Sequence, residues 1–342
     1  MKKKIIVTGG TGYIGSHTAV ELIAGGFEVV IIDNLYNSDI AVLEGIRAIT
    51  GVTPKFWQYD LCDIQKLEEV FVAEGKIDAI IHFAAYKAVG ESVRKPLEYF
   101  RNNLVSLMNL LEMMERHNTP VMVFSSSCTV YGQPDTLPVT EASAVKEAAS
   151  PYGYTKQAGE IIIRDTMASR PSQKALSLRY FNPIGAHPTA FLGELPRGVP
   201  ENLVPFITQT AMGLREELKV FGTDYDTPDG SCIRDYLHVV DLAKAHVIAL
   251  QRMLDGQNKT NYEVFNLGMG KGVSVLEAIS AFEKATGVKL KYSITDRRAG
   301  DIEKIWADPS LANRELGWKT EISIEEAMET AWRWENRLKN KE

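Results

Sequence analysis

Eight residues near the start of the chain leave little freedom in how it can fold. The apolar run Ile5-Ile6-Val7 leads directly into Thr8-Gly9-Gly10-Thr11-Gly12-Tyr13-Ile14-Gly15, and a helical pattern from Ile14 to Ala24 follows. Strand, tight glycine turn and helix, in that order, give the Gly-x-x-Gly-x-x-Gly spacing a physical meaning. Gly9, Gly12 and Gly15 let the turn tighten and let backbone N–H groups approach a pyrophosphate, which then sits on the positive end of the helix. Asp33 ends the next apolar run, eighteen residues past Gly15. A carboxylate there accepts hydrogen bonds from both hydroxyls of a ribose and repels a 2′-phosphate, so NAD is expected rather than NADP. The bland reading, a glycine-rich turn with an incidental acid, does not account for the order of the four features.

The same alternation continues through the first half. Short β-branched runs at Lys4 to Thr8, Glu28 to Asp33, Lys55 to Tyr59, Ala79 to Phe83, Val121 to Ser125 and Ala175 to Tyr180 are separated by helical patterns, among them Ile64 to Ala73, Pro96 to His117 and Pro151 to Ser169. Such a series predicts βαβ units in a Rossmann-type, doubly wound parallel sheet of the α/β class. After Asn182 the texture changes to a loop rich in Gly and Pro, from Pro183 to Pro205, and then to a smaller mixed α/β region. The expected division is an NAD-binding domain over residues 1–182 and a substrate-binding domain over 183–342. Later segments, around Val220 and Asp235 to Leu250, are expected to pack back on the first domain.

Composition narrows the partners. At 342 residues with a formal charge of -6 and no basic stripe, the chain suits small molecules, with no nucleic-acid and no membrane partner. The basic start Met1-Lys2-Lys3-Lys4 is followed by only three apolar residues, too few for a signal peptide. Cys62, Cys128 and Cys232 are odd in number and far apart, which suits a reducing cytoplasm. The six histidines show no metal-ligand spacing, so no metal is expected.

The ends of the later strands carry the remaining chemistry. Asp60 and Leu61 follow the third strand, and Asp60 is placed to meet an adenine edge. Phe83, Ala84 and Ala85 follow the fourth, where small residues leave room for a cofactor backbone. Plain packing explains these residues equally well. Ser125-Ser126-Ser127 closes the fifth strand, either as an ordinary polar exit or as a hydroxyl aimed at substrate. Tyr152 precedes Lys156 by four residues, on one face of a helix that Ser150 is placed to cap and Pro151 to start. A phenol titrates at about 10, so a neighbouring ammonium and the helix dipole would help it act as a general base. With 13 tyrosines and 22 lysines, roughly one such pair is expected by chance, so the spacing gains meaning only from its surroundings.

Taken together, the glycine turn, the serine strand exit and Tyr-x-x-x-Lys resemble the extended short-chain dehydrogenase/reductase superfamily. Within it, the likeness is to the UDP-glucose 4-epimerase family. It is carried by Asp33-Asn-Leu-Tyr-Asn-Ser38, Lys87-Ala-Val-Gly-Glu-Ser92, Ser125-Ser-Ser-Cys-Thr-Val-Tyr-Gly132, Arg179-Tyr-Phe-Asn-Pro-Ile-Gly-Ala-His187, Ile233-Arg-Asp-Tyr-Leu-His238 and Arg297-Arg-Ala-Gly-Asp301. The resemblance implies a hydride shuttle without net redox change. Tyr152 takes the proton of the sugar 4-hydroxyl, the C4 hydride passes to retained NAD, and the keto sugar turns over before the hydride returns. Lys156 would hold the nicotinamide ribose and lower the Tyr152 pKa, and Ser127 would orient the 4-oxygen. The resemblance places NAD among Gly9, Gly12, Tyr13, Ile14, Gly15, Asp33, Asn34, Asp60, Leu61, Phe83, Ala84, Ala85, Lys87, Asn102, Ser125, Tyr152, Lys156 and Phe181. It places a UDP-hexose among Ser127, Tyr152, Asn182, Asn202, Leu203, Arg234, Arg298, Asp301 and Ile305. Arginines suit a diphosphate because their planar donors bind it bidentately.

Two positions depart from that family. Ala85-Tyr86 stands where Gly-Leu is common, and Ile305 stands where Tyr excludes N-acetylated sugars and small residues admit them, which leaves UDP-N-acetylhexosamines open. A nucleotide-sugar 4,6-dehydratase on the same fold carries Thr-Asp-Glu before Val-Tyr-Gly, whereas this chain has Ser127-Cys128-Thr129. The other alternative is a catalytically silent NAD-binding scaffold, which would be free to lose Tyr152, Lys156 or Ser127. Leu104, Leu107, Met108, Leu110, Leu111 and Met114 lie around much of the Pro96 to His117 helix, so either a partner helix or complete burial is expected. The resemblance favours a homodimer through this helix and the one beginning at Pro151.

Overall fold

A computed structural model describes residues 2–298 and 302–340. Its centre is one sheet of seven strands: β1 (Lys4–Thr8), β2 (Glu28–Ile32), β3 (Lys55–Trp57), β4 (Ala79–His82), β5 (Val121–Ser125), β6 (Lys174–Tyr180) and β7 (Tyr262–Leu267). They run in the order β7-β6-β5-β4-β1-β2-β3, and every neighbouring pair is parallel. Parallel strands need crossovers, and helices provide them on both faces. The strands are therefore apolar without alternation, and Ile5, Ile6, Val7, Ile80 and Ile81 are all fully buried.

Successive side chains go to opposite faces. Ile5, Val7, Ile31, Ile81 and Val123 pack with residues of helices Tyr13–Ala24 and Val239–Leu254. Ile6, Val30, Ile80, Met122 and Phe124 pack with residues of helices Ile64–Glu74, Ser106–Arg116 and Pro151–Ser169. From β1 the chain winds outward to β3, then returns to the other side of β1 with β4. The strand order reverses between β1 and β4, and in an open sheet of this kind the binding crevice lies at such a reversal, at the carboxyl ends of the strands.

Chain beyond Asn182 returns to this sheet. β7 pairs with β6, and helix Val239–Leu254 packs on helix Tyr13–Ala24. Val220 does not return. Its strand, Leu218–Phe221, pairs with Tyr292–Thr295, and Val220 is buried in a separate core with Ile184, Ile207, Phe282 and Met328. Exposed Lys219 and Phe221 alternate with buried Leu218 and Val220, as in a ribbon with one wet face rather than a strand covered on both sides. The Gly/Pro-rich loop is also less uniform than expected, since Asn182–Ile184 pairs with Tyr236–His238 and helix Leu203–Ala211 begins before its end. Among the described residues, no helix is long and apolar enough to cross a membrane.

The single helix expected from Pro96 to His117 is three pieces: Pro96–Phe100, a π-helical turn Arg101–Val105, and Ser106–Arg116. A π-turn accommodates an extra residue and turns side chains out of register. Within it, Asn103 donates to Thr155 Oγ1 at 3.0 Å and to the Tyr86 carbonyl at 3.0 Å. Leu107, Leu110, Leu111 and Met114 are buried inside the subunit. The apolar surface left outside is smaller than the pattern indicated, comprising Leu97, Met108 and, on the neighbouring helix, Tyr154 and Ile161.

Asp235 ties the later segments to the sheet. Fully buried, its carboxylate accepts N–H groups from Met269 at 2.7 Å, Gly270 at 3.2 Å and Ala307 at 3.1 Å. Leaving a buried donor unpaired costs about 1–3 kcal/mol. Asp235→Ala is therefore expected to lower the melting temperature by several degrees, and Asp235→Asn, which keeps one acceptor oxygen, by less; calorimetry of the three proteins checks this.

Candidate active site

At the β1 exit the glycines are required by contact. Gly9 has φ +68°, and a Cβ there would stand 2.7 Å from the Ala84 nitrogen. At Gly15 a Cβ would stand 2.2 Å from the Gly9 carbonyl. Helix Tyr13–Ala24 starts at Gly12 without a side-chain cap, so its first N–H groups face the crevice. This turn, with no room for a side chain and a helix N-terminus behind it, is a cradle for a diphosphate. Asp33 lies just past β2, its carboxylate held by Thr11 N at 3.2 Å, Leu35 N at 2.9 Å and Ser38 Oγ at 3.1 Å. Asn34 donates to Asp60 at 3.3 Å, which brings the second and third strand exits together beside buried Leu61.

The remaining nucleotide candidates follow the crevice. Tyr13 donates to the Gly185 carbonyl at 2.6 Å, Ile14 packs against the core, and Phe83 rests on His246 with ring centroids 4.6 Å apart. Ala84 and Ala85 lie at the β4 exit, half-buried. Asn102 donates to Asn103 at 2.9 Å. Lys87 is 3.3 Å from Glu194, and Asn202 donates to the same carboxylate at 2.6 Å, so Glu194 joins a residue expected at NAD to one expected at the sugar nucleotide. Nothing in the sequence spacing singles Glu194 out.

The catalytic candidates converge where β5 ends. Ser150 caps helix Pro151–Ser169 by accepting Gly153 N at 3.1 Å, with Pro151 opening the helix. Lys156, buried, donates to the Ser125 carbonyl at 2.6 Å, and its nitrogen sits 4.9 Å from the Phe124 ring centroid and 5.9 Å from that of Tyr152. Ser127 accepts Thr129 N at 3.2 Å while its hydroxyl lies beside the Tyr152 phenol. Ser125 Oγ is hydrogen-bonded to the Tyr180 hydroxyl.

The electrostatics differ from the expected effect of Lys156 on Tyr152. Burial pushes the Tyr152 phenol up to about 12, against a smaller downward pull from Ser127. Burial also pushes the Lys156 ammonium down to about 7, opposed by the Glu160 carboxylate. Two groups removed from water both favour their neutral forms, and Lys156 is directed at a carbonyl and ring faces rather than at the phenol oxygen. In the chain alone the pair is a neutral phenol beside a readily deprotonated amine. His82, hydrogen-bonded to Thr8 at 2.7 Å, is likewise neutral, because burial lowers it to about 3.

Across the crevice, Phe181 and Ile305 are buried in one cluster with Val130, Tyr131, Val139 and Ala307. Asn182 lies half-buried at the β6 exit, where its N–H donates to the Asp235 carbonyl at 3.0 Å. Leu203 opens its helix directly after Asn202. Arg234 donates to the Ile233 carbonyl at 2.9 Å. The Arg298 guanidinium lies 5.4 Å from the Phe221 ring centroid, a neighbour that the motifs did not indicate. Asp301 lies outside the described residues.

Sequence comparison settles the family. A UDP-glucose 4-epimerase of Bacillus subtilis is 49% identical over 332 residues, 97% of this chain and 96% of the relative. The chain belongs to the UDP-glucose 4-epimerase family. Solved structures agree. A UDP-glucose 4-epimerase from Bifidobacterium longum in complex with NAD+ and UDP superposes with a TM-score of 0.94 at 46% identity, covering 99% of each chain. The enzyme from Stenotrophomonas maltophila, with bound NAD and formylated UDP-arabinopyranose, gives 0.96 at 46% identity, covering 99% of this chain and 100% of that one. A broader family model, described as GDP-mannose 4,6 dehydratase, matches residues 6–331.

The dehydratase description does not fit this epimerase-family site. Cys128 and Thr129 occupy the turn that would carry the acid pair, and burial raises the Cys128 thiol to about 11, so neither residue offers a proton donor of carboxylic strength. Lys156 also has a consequence for stability. With a folded pKa near 7 and an ordinary one of 10.5, it carries fewer protons in the folded chain than in the unfolded chain between those values. Stability therefore gains as pH rises through that window. The melting temperature of the unmutated protein minus that of Lys156→Met is expected to grow from pH 7 to about pH 9.

Proposed function

We propose that this protein is an NAD-dependent isomerase that interconverts UDP-galactose and UDP-glucose through a 4-keto sugar, in the cytoplasm, as a homodimer. The observation that carries the reading is the meeting of Ser127, Tyr152 and Lys156 at the end of β5 without an acid pair beside them. The glycine cradle and Asp33 fit NAD, which when bound supplies the hydride acceptor. In this reading residues 1–182 and the returning segments hold the dinucleotide, through Gly9, Gly12, Tyr13, Ile14, Gly15, Asp33, Asn34, Asp60, Leu61, Phe83, Ala84, Ala85, Lys87, Asn102, Ser125, Tyr152, Lys156 and Phe181. The rest of the chain holds UDP-sugar, through Asn182, Asn202, Leu203, Arg234, Arg298 and Asp301, with Phe221 added to that set.

Tyr152 is the proton carrier for both faces of the sugar carbon. At about 12 it holds its proton in the chain alone, so it needs a cation close to the phenol oxygen to become a base near neutrality. Lys156 provides a second titratable site within reach, and its neutral form is accessible. Ser127 donates to the 4-oxygen and keeps that atom in line with Tyr152. A reaction that returns the same hydride to the opposite face needs the nucleotide held firmly and the sugar held loosely. Arginines and asparagines at the nucleotide end, with the apolar cluster of Phe181 and Ile305 at the other, suit that requirement. Ile305 is smaller than tyrosine and folds into its cluster, which supports slower use of UDP-N-acetylgalactosamine as well.

Incubation with UDP-galactose and no added NAD is expected to yield UDP-glucose, read by nuclear magnetic resonance, with UDP-N-acetylgalactosamine converted more slowly. Tyr152→Phe is expected to lose about 100-fold or more in kcat. A stable 4-keto-6-deoxy product, or full turnover by Tyr152→Phe, would refute the reading. Exposed Leu97, Met108, Tyr154 and Ile161 support the homodimer. Light scattering is expected to give twice the chain mass, and Leu97→Glu with Ile161→Glu to give the single mass.

A further inference from the structure

Three successive serines leave β5, and each meets the same helix. The Ser125 carbonyl accepts from Lys156 at 2.6 Å, Ser126 Oγ donates to Glu160 at 2.5 Å, and Ser127 lies beside Tyr152. Tyr152, Lys156 and Glu160 are four residues apart, so they share one helix face on successive turns. Glu160 is buried and doubly held, with Arg179 Nε at 2.9 Å from one oxygen and Arg179 Nη2 at 2.5 Å from the other. Arg179 also donates to the Tyr131 hydroxyl at 3.0 Å, and Tyr131 donates to Asn266 at 2.5 Å. The segment carrying Ser127 is thus pinned before it by Ser126 on Glu160, and after it by Tyr131 on Arg179.

We propose that Glu160, held by Arg179, is a positioning residue of the reaction, fixing the Ser127 hydroxyl against Tyr152 through Ser126. The inference rests on the epimerase reading of the site. A buried ion pair on a helix and its neighbouring strand is a poor source of net stability, because desolvation offsets the attraction. It is a good source of fixed geometry, since both partners have one orientation that satisfies them. Catalysis depends on that geometry, and a misplacement of about 1 Å costs on the order of 100-fold in rate.

Glu160→Ala would leave Arg179 buried without its partner and would fold poorly, so the informative variant is Ser126→Ala, which removes only the tether. With UDP-galactose as substrate, Ser126→Ala is expected to lose about tenfold in kcat with KM within about twofold and NAD content unchanged. Its crystal structure is expected to show the Ser127 hydroxyl displaced from Tyr152. An unchanged kcat, a loss of kcat matched by loss of NAD, or a fall in kcat with Ser127 in place would each overturn the proposal. Were the unmutated protein inactive on UDP-galactose, the epimerase reading would fail, and the position of Ser127 in the variant would still decide this inference.

Discussion

The close approach of Gly9, Gly15 and Ala84 is the contact on which the rest of the structure depends. With a Cβ excluded at 2.2 Å from one carbonyl and 2.7 Å from a neighbouring backbone nitrogen, the β1 exit, the first helix and the β4 exit can meet only as bare backbone. That meeting sets the crevice where the strand order reverses. It also sets the distance between the diphosphate cradle and the end of β5. Helix Pro151–Ser169 reaches that end from the opposite face of the sheet, so the glycine turn and Tyr152 are registered to each other through a rigid parallel sheet rather than through loops.

Inside that frame, burial governs the acid–base groups. Tyr152 and Lys156 are both driven toward neutrality, to about 12 and about 7, and His82 beside them is neutral as well. A full charge pair close by, Glu160 with Arg179, is locked in two hydrogen bonds and faces the serine segment. Charge in this site is therefore fixed where it holds geometry, while Tyr152 keeps its proton and Lys156 exchanges one readily near neutrality. A lone spacing of tyrosine and lysine carries no information about this division.

Much of the architecture was legible because parallel strands covered on both faces leave an unmistakable pattern. Six runs of β-branched residues separated by helical periods gave six of the seven sheet strands, and Ser150-Pro151 marked a helix start that the structure keeps. What was misread depended on context. Val220 has the same composition as a sheet strand but lies in a two-stranded ribbon. The Pro96 to His117 helix is continuous but carries a π-turn, in which Asn103 bonds Thr155 and Tyr86, partners that its period does not reveal. Glu194 and Phe221 went unnoticed because single residues outside a motif have no period and no fixed spacing.

From the sequence alone came the glycine turn after the first strand, Asp33 at the end of the second, the Tyr152 and Lys156 pair on one helix face and the absence of an acid pair at Cys128 and Thr129. These are properties of residue type and short spacing, which covalent connectivity fixes before the chain folds. Only the tertiary structure decided the directions in which burial moves Tyr152 and Lys156, the burial of Ile305 and the bond from Ser126 to Glu160. Each depends on desolvation or on hydrogen bonds between segments distant in the chain, and neither exists until the sheet has brought those segments together.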